Sequence, residues 1–162
     1  GAGHVAQAIA QVLVDTPFKV HLVDQRKEWL SKAPASVIQH LDSGINLVEK
    51  WPFGDVSKLY AAVMTFDHNL DQNLVENLLD KDLKYLGLIG SEIKWRRFQK
   101  NFIEKGISVA VLNNVTCPIG LPIGGKTPKE VAISFAAEIL QLHNTDEKKQ
   151  KTNDECSQDA II

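Results

Sequence analysis

Short, unbroken apolar runs separated by stretches of helical periodicity constrain this chain more than any other feature of its sequence. Residues 60–66 and 85–89 are apolar almost throughout and too brief for helices, the pattern of strands covered on both faces. Between such runs, apolar residues recur at helical spacing: Val5, Ile9, Val12 and Leu13; Leu70, Leu74 and Leu78; Trp95, Phe98 and Phe102; Val131, Phe135 and Ile139. Strands alternating with helices imply a parallel sheet with helices on both faces, because right-handed crossovers place them there. The expected class is doubly wound α/β, with ligands sought at the carboxyl ends of the strands.

Punctuation supports that alternation. Pro17 stops the first helix before a strand over residues 18–23, and residues 26–33 suit a short helix ended by Pro34. Residues 45–48 and 107–112 read as further strands, and Trp51-Pro52-Phe53-Gly54 as a break. Ser91 is placed to cap one helix, and Lys105-Gly106 to close it. Thr127, Pro128 and Glu130 hold the cap, first-turn and capping-box positions of another. The sequence opens at Gly1, inside a glycine turn, so the sheet is expected to lack its first strand, to expose edges, and to dissolve poorly or form a homodimer. One domain is expected over residues 1–143, followed by a polar, disordered tail over 144–162 that has little to bury.

Composition narrows the function classes. Eighteen basic against 20 acidic side chains give a net charge of −2, leaving no general counter-charge for a nucleic acid. No apolar stretch reaches the roughly 18 residues that a membrane-spanning helix requires, and no signal peptide is seen, so a cytoplasmic location is expected. Cys117 and Cys156 lie in unlike surroundings, which suits reduced thiols.

Five segments are equipped for chemistry. Gly1-Ala2-Gly3-His4-Val5-Ala6 fits G-x-G-x-x-G/A, in which glycines let the backbone approach a phosphate. Asp24, about 20 residues on, stands where an acid meets a ribose hydroxyl, or else pairs with Arg26. Thr65, Asp67 and His68 close a buried strand; they can orient a ligand or transfer protons, or Asp67 can simply cap the next helix. Gly90, Ser91 and Lys94 can receive an anion or serve strand-to-helix packing. Cys117 through Gly120 to Lys126 forms a Gly/Pro-rich loop that meets G-x-x-x-x-G-K-[ST], although Pro122 removes an amide and Pro128 follows the Thr directly. Cys117 itself is a candidate soft ligand or nucleophile, or a small packed residue.

Taken together, these blocks resemble the xanthine dehydrogenase accessory protein family of the XdhC/CoxI type, in its C-terminal Rossmann-like domain. The resemblance rests on the Gly1–Ala6 turn with Asp24-Gln25-Arg26, on Thr65-Phe66-Asp67-His68 with Asp71, and on Tyr85-Leu86-Gly87-Leu88-Ile89-Gly90-Ser91 with Lys94 and Phe98. It extends through Cys117-Pro118-Ile119-Gly120-Leu121 to Lys126-Thr127-Pro128-Lys129-Glu130 and Ala136-Ala137-Glu138. Phe66 stands where the family usually has His, and Pro122 where it usually has Asp. The resemblance implies a chaperone that binds molybdenum cofactor, aids its sulfuration and inserts it into xanthine dehydrogenase or a related molybdenum hydroxylase, with a cysteine desulfurase as second partner. Two other readings stay open: an NAD(P)-dependent oxidoreductase domain with His68 as acid/base, and an interaction module without cofactor.

Overall fold

The computed structural model describes residues 1–50, 54–150 and 158–161. Helix α1 (His4–Leu13) leads into β1 (Phe18–Asp24), and the short α2 (Lys27–Leu30) into β2 (Ile38–Leu41). After α3 (Ile45–Glu49) and a single 3₁₀ turn come β3 (Tyr60–Val63), α4 (His68–Leu79), β4 (Tyr85–Leu88) and α5 (Glu92–Glu104). The chain continues through α6 (Val109–Leu112), β5 (Val115–Thr116), α7 (Pro128–Gln150) and β6 (Gln158–Ile161). All pairings are parallel, in the order β2-β1-β6-β3-β4-β5. This is the doubly wound, Rossmann-like class that the alternation predicts.

Strand side chains alternate between faces, and here both faces are covered. Tyr60 and Ala62 of β3 join a core with Ile9 and Leu13 of α1 and with Phe135 and Ile139 of α7. Their neighbours Ala61 and Val63 join a second core with Leu74, Val75 and Leu78 of α4 and with Trp95, Phe98 and Phe102 of α5. An unbroken apolar run is therefore the natural composition for β3 and β4. All four positions of each strand are buried.

Three expectations are corrected. Residues 45–48 form a helix, not a strand. Gly44 enters it at φ +93, and Ile45 and Val48, three apart, share the face packed on the α4 side. Residues 107–112 likewise carry a helical turn, α6, capped by the Ser108 hydroxyl; Val109 is left exposed, so there is no two-sided burial to hold a strand, and β5 begins only at Val115. The third correction concerns the tail over 144–162. Helix α7 runs on to Gln150, and Gln158–Ile161 forms β6 between β1 and β3. The vacancy expected in the sheet is thus partly held by this strand, which pairs with the first four residues of β1 and the first two of β3. Without β6 the two inner strands would leave amides and carbonyls unpaired there, and Ala160 is almost wholly buried between them. Strand β2, absent from the expected elements, lies at the sheet edge with every second residue exposed. Trp51, Pro52, Phe53 and Cys156 lie outside the described residues. Among the described residues, no helix is long and apolar enough to cross a membrane.

Candidate functional site

The loops that follow the strands at their carboxyl ends are joined by direct contacts. Gly1 lies against the end of β3: a Cβ there would collide with the Met64 carbonyl oxygen and come within 2.9 Å of Thr65 Cα. Gly3 occupies the cap position of α1 with ordinary φ (−67°) and nothing within 4 Å of where a side chain would be. Its backbone is therefore open to approach from outside. His4 is exposed and sits edge-on to Trp29, with ring centroids 4.9 Å apart.

Asp24 ties this turn to the end of β1. Its Oδ2 accepts the Ala2 N–H (2.7 Å) and Arg26 Nη2 (2.8 Å), while Oδ1 accepts the Arg26 backbone N–H (2.8 Å) and Nε (2.9 Å). Burial disfavours the carboxylate, but the Arg26 fork and the two amides outweigh it and hold Asp24 well below the usual carboxylate range. A depressed folded-state pKa contributes stability that is fully present above about pH 4 and is lost as pH falls toward the folded value. Asp24→Asn is therefore expected to be less stable at pH 7 and to show a shallower loss of urea midpoint between pH 5 and pH 2. Parallel pH profiles for variant and parent would contradict this assignment.

The end of β3 is organised by an acid that the candidate residues did not include. Thr65 Oγ1 donates to the Asp67 carbonyl (2.9 Å) and accepts the Asp67 N–H (3.1 Å). Asp67 caps α4, its Oδ1 accepting the amides of Asn69 (2.7 Å) and Leu70 (3.2 Å). Exposed His68 places Nδ1 3.2 Å from Arg97 Nη2. One turn into α4, Asp71 is fully buried and accepts the Thr65 N–H (2.8 Å) and Lys94 Nζ (2.7 Å), and Lys94 also donates to the Ile89 carbonyl (2.8 Å). Lys94, expected among the ligand contacts, thus braces the ends of β3 and β4. The sequence signals for Asp71 are its place with Thr65-Phe66-Asp67-His68 in the family resemblance and its position four residues beyond the cap, on the face that α4 turns inward.

Ser91 caps α5 as expected, accepting the Lys94 N–H at 3.3 Å, and a side chain at Gly90 would meet Lys94 Cδ at 2.6 Å. Cys117, joined to Pro118 by a cis peptide bond, lies 3.9 Å from the Ser91 carbonyl through Sγ. Burial pushes its thiol up to about 11, against the pull of Lys94, so neutral pH leaves it protonated. Gly120 (φ +90) donates its N–H to Glu138 Oε2 (2.8 Å), the oxygen that also accepts the Tyr85 hydroxyl (2.7 Å). Glu138 is the second organising acid missing from the candidates. Burial above all, with the hydrogen bond to Glu138, raises the Tyr85 pKa far above its ordinary value, so the phenol acts as donor. The amides of Lys126 and Thr127 go to Glu130, closing the capping box. In this loop those amides are therefore not open to a phosphate.

A chain of contacts thus links Arg26 and Asp24 to the Gly1–His4 turn, Thr65, Asp71, Lys94, Ser91 and Cys117. Gly120 and Lys126 are instead held by α7. Beside this chain opens a mainly apolar groove of about 450 Å³, including its mouth, bordered by Gly1, Thr65, Val23, Val63 and Leu74. Among the described residues no three His, Cys, Asp or Glu side chains gather to hold a metal ion.

The chain is similar to known proteins. Residues 1–139 match the family model of the XdhC Rossmann domain. Over 147 residues the chain is 32% identical to the uncharacterized protein YqeB of Escherichia coli (strain K12), covering 89% of this chain and 26% of that protein. It is 28% identical over 147 residues to a Bacillus subtilis (strain 168) protein named as a probable xanthine dehydrogenase subunit, covering 87% of this chain and 41% of that one. A crystal structure described as a xanthine dehydrogenase from Bacillus halodurans superposes with a TM-score of 0.73 at 24% identity, covering 90% of this chain and 41% of that chain. The chain therefore spans well under half the length of these relatives.

Proposed function

The chain belongs to the XdhC Rossmann-domain family, and from that membership we propose that it serves the maturation of a xanthine dehydrogenase-type molybdenum hydroxylase, holding molybdenum cofactor during sulfuration and insertion. The single observation that carries this reading is the family match across residues 1–139, which takes in every strand-end loop described above. The Bacillus subtilis relative, named for xanthine dehydrogenase, supports the same kind of partner. The cysteine desulfurase belongs to the proposal as the source of sulfur.

The residues present fit one end of such a ligand. Molybdopterin carries a phosphate, and the open cap position of the ten-residue α1 offers backbone amides and the positive end of a helix dipole. Gly1, Gly3, His4 and Arg26 would hold that end, with the exposed Phe66 and His68 bordering the remainder. When bound, the group supplies the redox chemistry of the hydroxylase it is destined for. The role left to this chain is binding and shielding. Among the described residues no three His, Cys, Asp or Glu side chains gather to hold a metal ion, and ligation of molybdenum by this chain forms no part of the proposal.

Equilibrium binding of molybdenum cofactor to the purified chain, read by intrinsic tryptophan fluorescence, tests the reading. Saturable binding at micromolar concentration or tighter is expected, together with protection of the bound cofactor from oxidation in air. Absence of binding at that concentration, or binding without protection, removes the carrier role.

A further inference from the structure

Resting on the carrier reading, we propose that Arg26 reads a phosphomonoester next to the glycine turn, and that the end of β1 is closed to an unphosphorylated ribose diol. An ionised carboxylate offers about four acceptor positions on its two oxygens. In Asp24 four donors already use them: the Ala2 N–H, the Arg26 N–H, Nε and Nη2. A ribose hydroxyl arriving at Asp24 must displace one of these bonds. The acid in the position expected to recognise a nucleotide sugar is committed to its own neighbour.

Arg26 is the group this arrangement leaves available. Two aromatic rings lie close to it, the guanidinium carbon being 4.5 Å from the centroid of Phe66 and 5.2 Å from that of Trp29. Nε and Nη2 are turned to Asp24, whereas Nη1 makes no hydrogen bond among the described residues, in a side chain that is 29% exposed. With one edge bound to Asp24, the donors left on the guanidinium are the N–H groups of Nη1, which suit an oxyanion. Asp24 offsets the charge of Arg26, and a second cation, Lys32, packs on the same Trp29 ring, its Nζ 3.9 Å from the centroid. Through Asp24 and Ala2 this edge is tied to the backbone of the glycine turn. A phosphomonoester, with close to two charges and three acceptor oxygens, matches this donor set better than a neutral diol.

Two ligands carry that chemistry, molybdopterin through its terminal phosphate and NADP⁺ through its 2′-phosphate, whereas NAD⁺ lacks it. The test titrates the intact chain, Arg26→Ala and Arg26→Lys with molybdenum cofactor, NADP⁺ and NAD⁺, following heat by calorimetry and checking the fold by thermal melt. At least one phosphomonoester ligand is expected to lose roughly tenfold to a hundredfold in affinity in Arg26→Ala. Arg26→Lys, which retains the charge without the planar fork, should recover only part of it. NAD⁺ should bind the parent at least about tenfold more weakly than NADP⁺ if the nucleotide is the ligand, and gain in Arg26→Ala as Asp24 is freed. The ligand that shows the dependence identifies the source. Cofactor bound equally by parent and Arg26→Ala, with no dependence for NADP⁺, overturns the inference but leaves the carrier reading intact. Arg26-dependent binding of NADP⁺ without any cofactor binding sustains the inference and removes the carrier reading. Silence from all three ligands overturns both.

Discussion

Lys94→Met is expected to lower the free energy of unfolding by about 3–5 kcal/mol, the usual cost of removing one partner from a buried ion pair. Asp71 is fully buried, and the Lys94 side chain is only 11% exposed. Without the ammonium, the fully buried Asp71 carboxylate keeps a single hydrogen-bond donor among the described residues, the Thr65 amide. The Ile89 carbonyl loses the same donor. Urea denaturation gives the measurement, and the double variant Lys94→Met/Asp71→Asn the control. Removing the stranded charge should recover a substantial part of the loss, because much of the penalty is the uncompensated carboxylate rather than the missing attraction. A single variant within about 1 kcal/mol of the parent would show that the pair does not hold the ends of β3 and β4 together.

Glu138→Ala should cost about 2–4 kcal/mol, since it leaves two donors without their acceptor: the buried Tyr85 hydroxyl and the Gly120 amide. Its effect is expected to be local as well as global. Gly120 sits at φ +90 against Ser134 and Phe135, so the loop after β5 is packed on α7 and pinned there by this carboxylate. Hydrogen exchange should therefore quicken at Gly120 and Leu121 more than in β3 or β4. Glu138→Gln, which keeps an acceptor oxygen but loses the charge, should retain part of both effects. Uniform acceleration across the whole sheet would mean that Glu138 contributes to packing alone.

The fold was legible wherever burial is two-sided or a helix carries its own cap. The apolar runs at Tyr60–Val63 and Tyr85–Leu88 could be read as inner strands because both faces of each need apolar partners. Ser91, Thr127 and Glu130 marked helix starts because capping is satisfied within a few residues of the cap. Residues 45–48 and 107–112 misled because a run of four to six mostly apolar residues fits a strand or a single helical turn equally well. Only neighbours decide between them. Strand β6 was illegible for a related reason: a short apolar end after a polar stretch acquires strand character from the two unpaired edges it meets, and those lie far away in the chain, at Phe18–His21 and Tyr60–Ala61.

The same division runs through the candidate site. By itself the sequence determined the glycine turn, the acid at the end of β1, the hydroxyl, acid and imidazole after β3, and their common place after strands, because these depend on local spacing and on the handedness of crossovers. Only the tertiary structure decided who holds whom. It saturated Asp24 with Arg26 and Ala2, turned Lys94 inward to Asp71, and gave Glu138 to Tyr85 and Gly120. Periodicity reports which face a residue lies on. Which donor reaches which acceptor across sequence separations of 18 to 53 positions depends on distances that exist only once the sheet has formed.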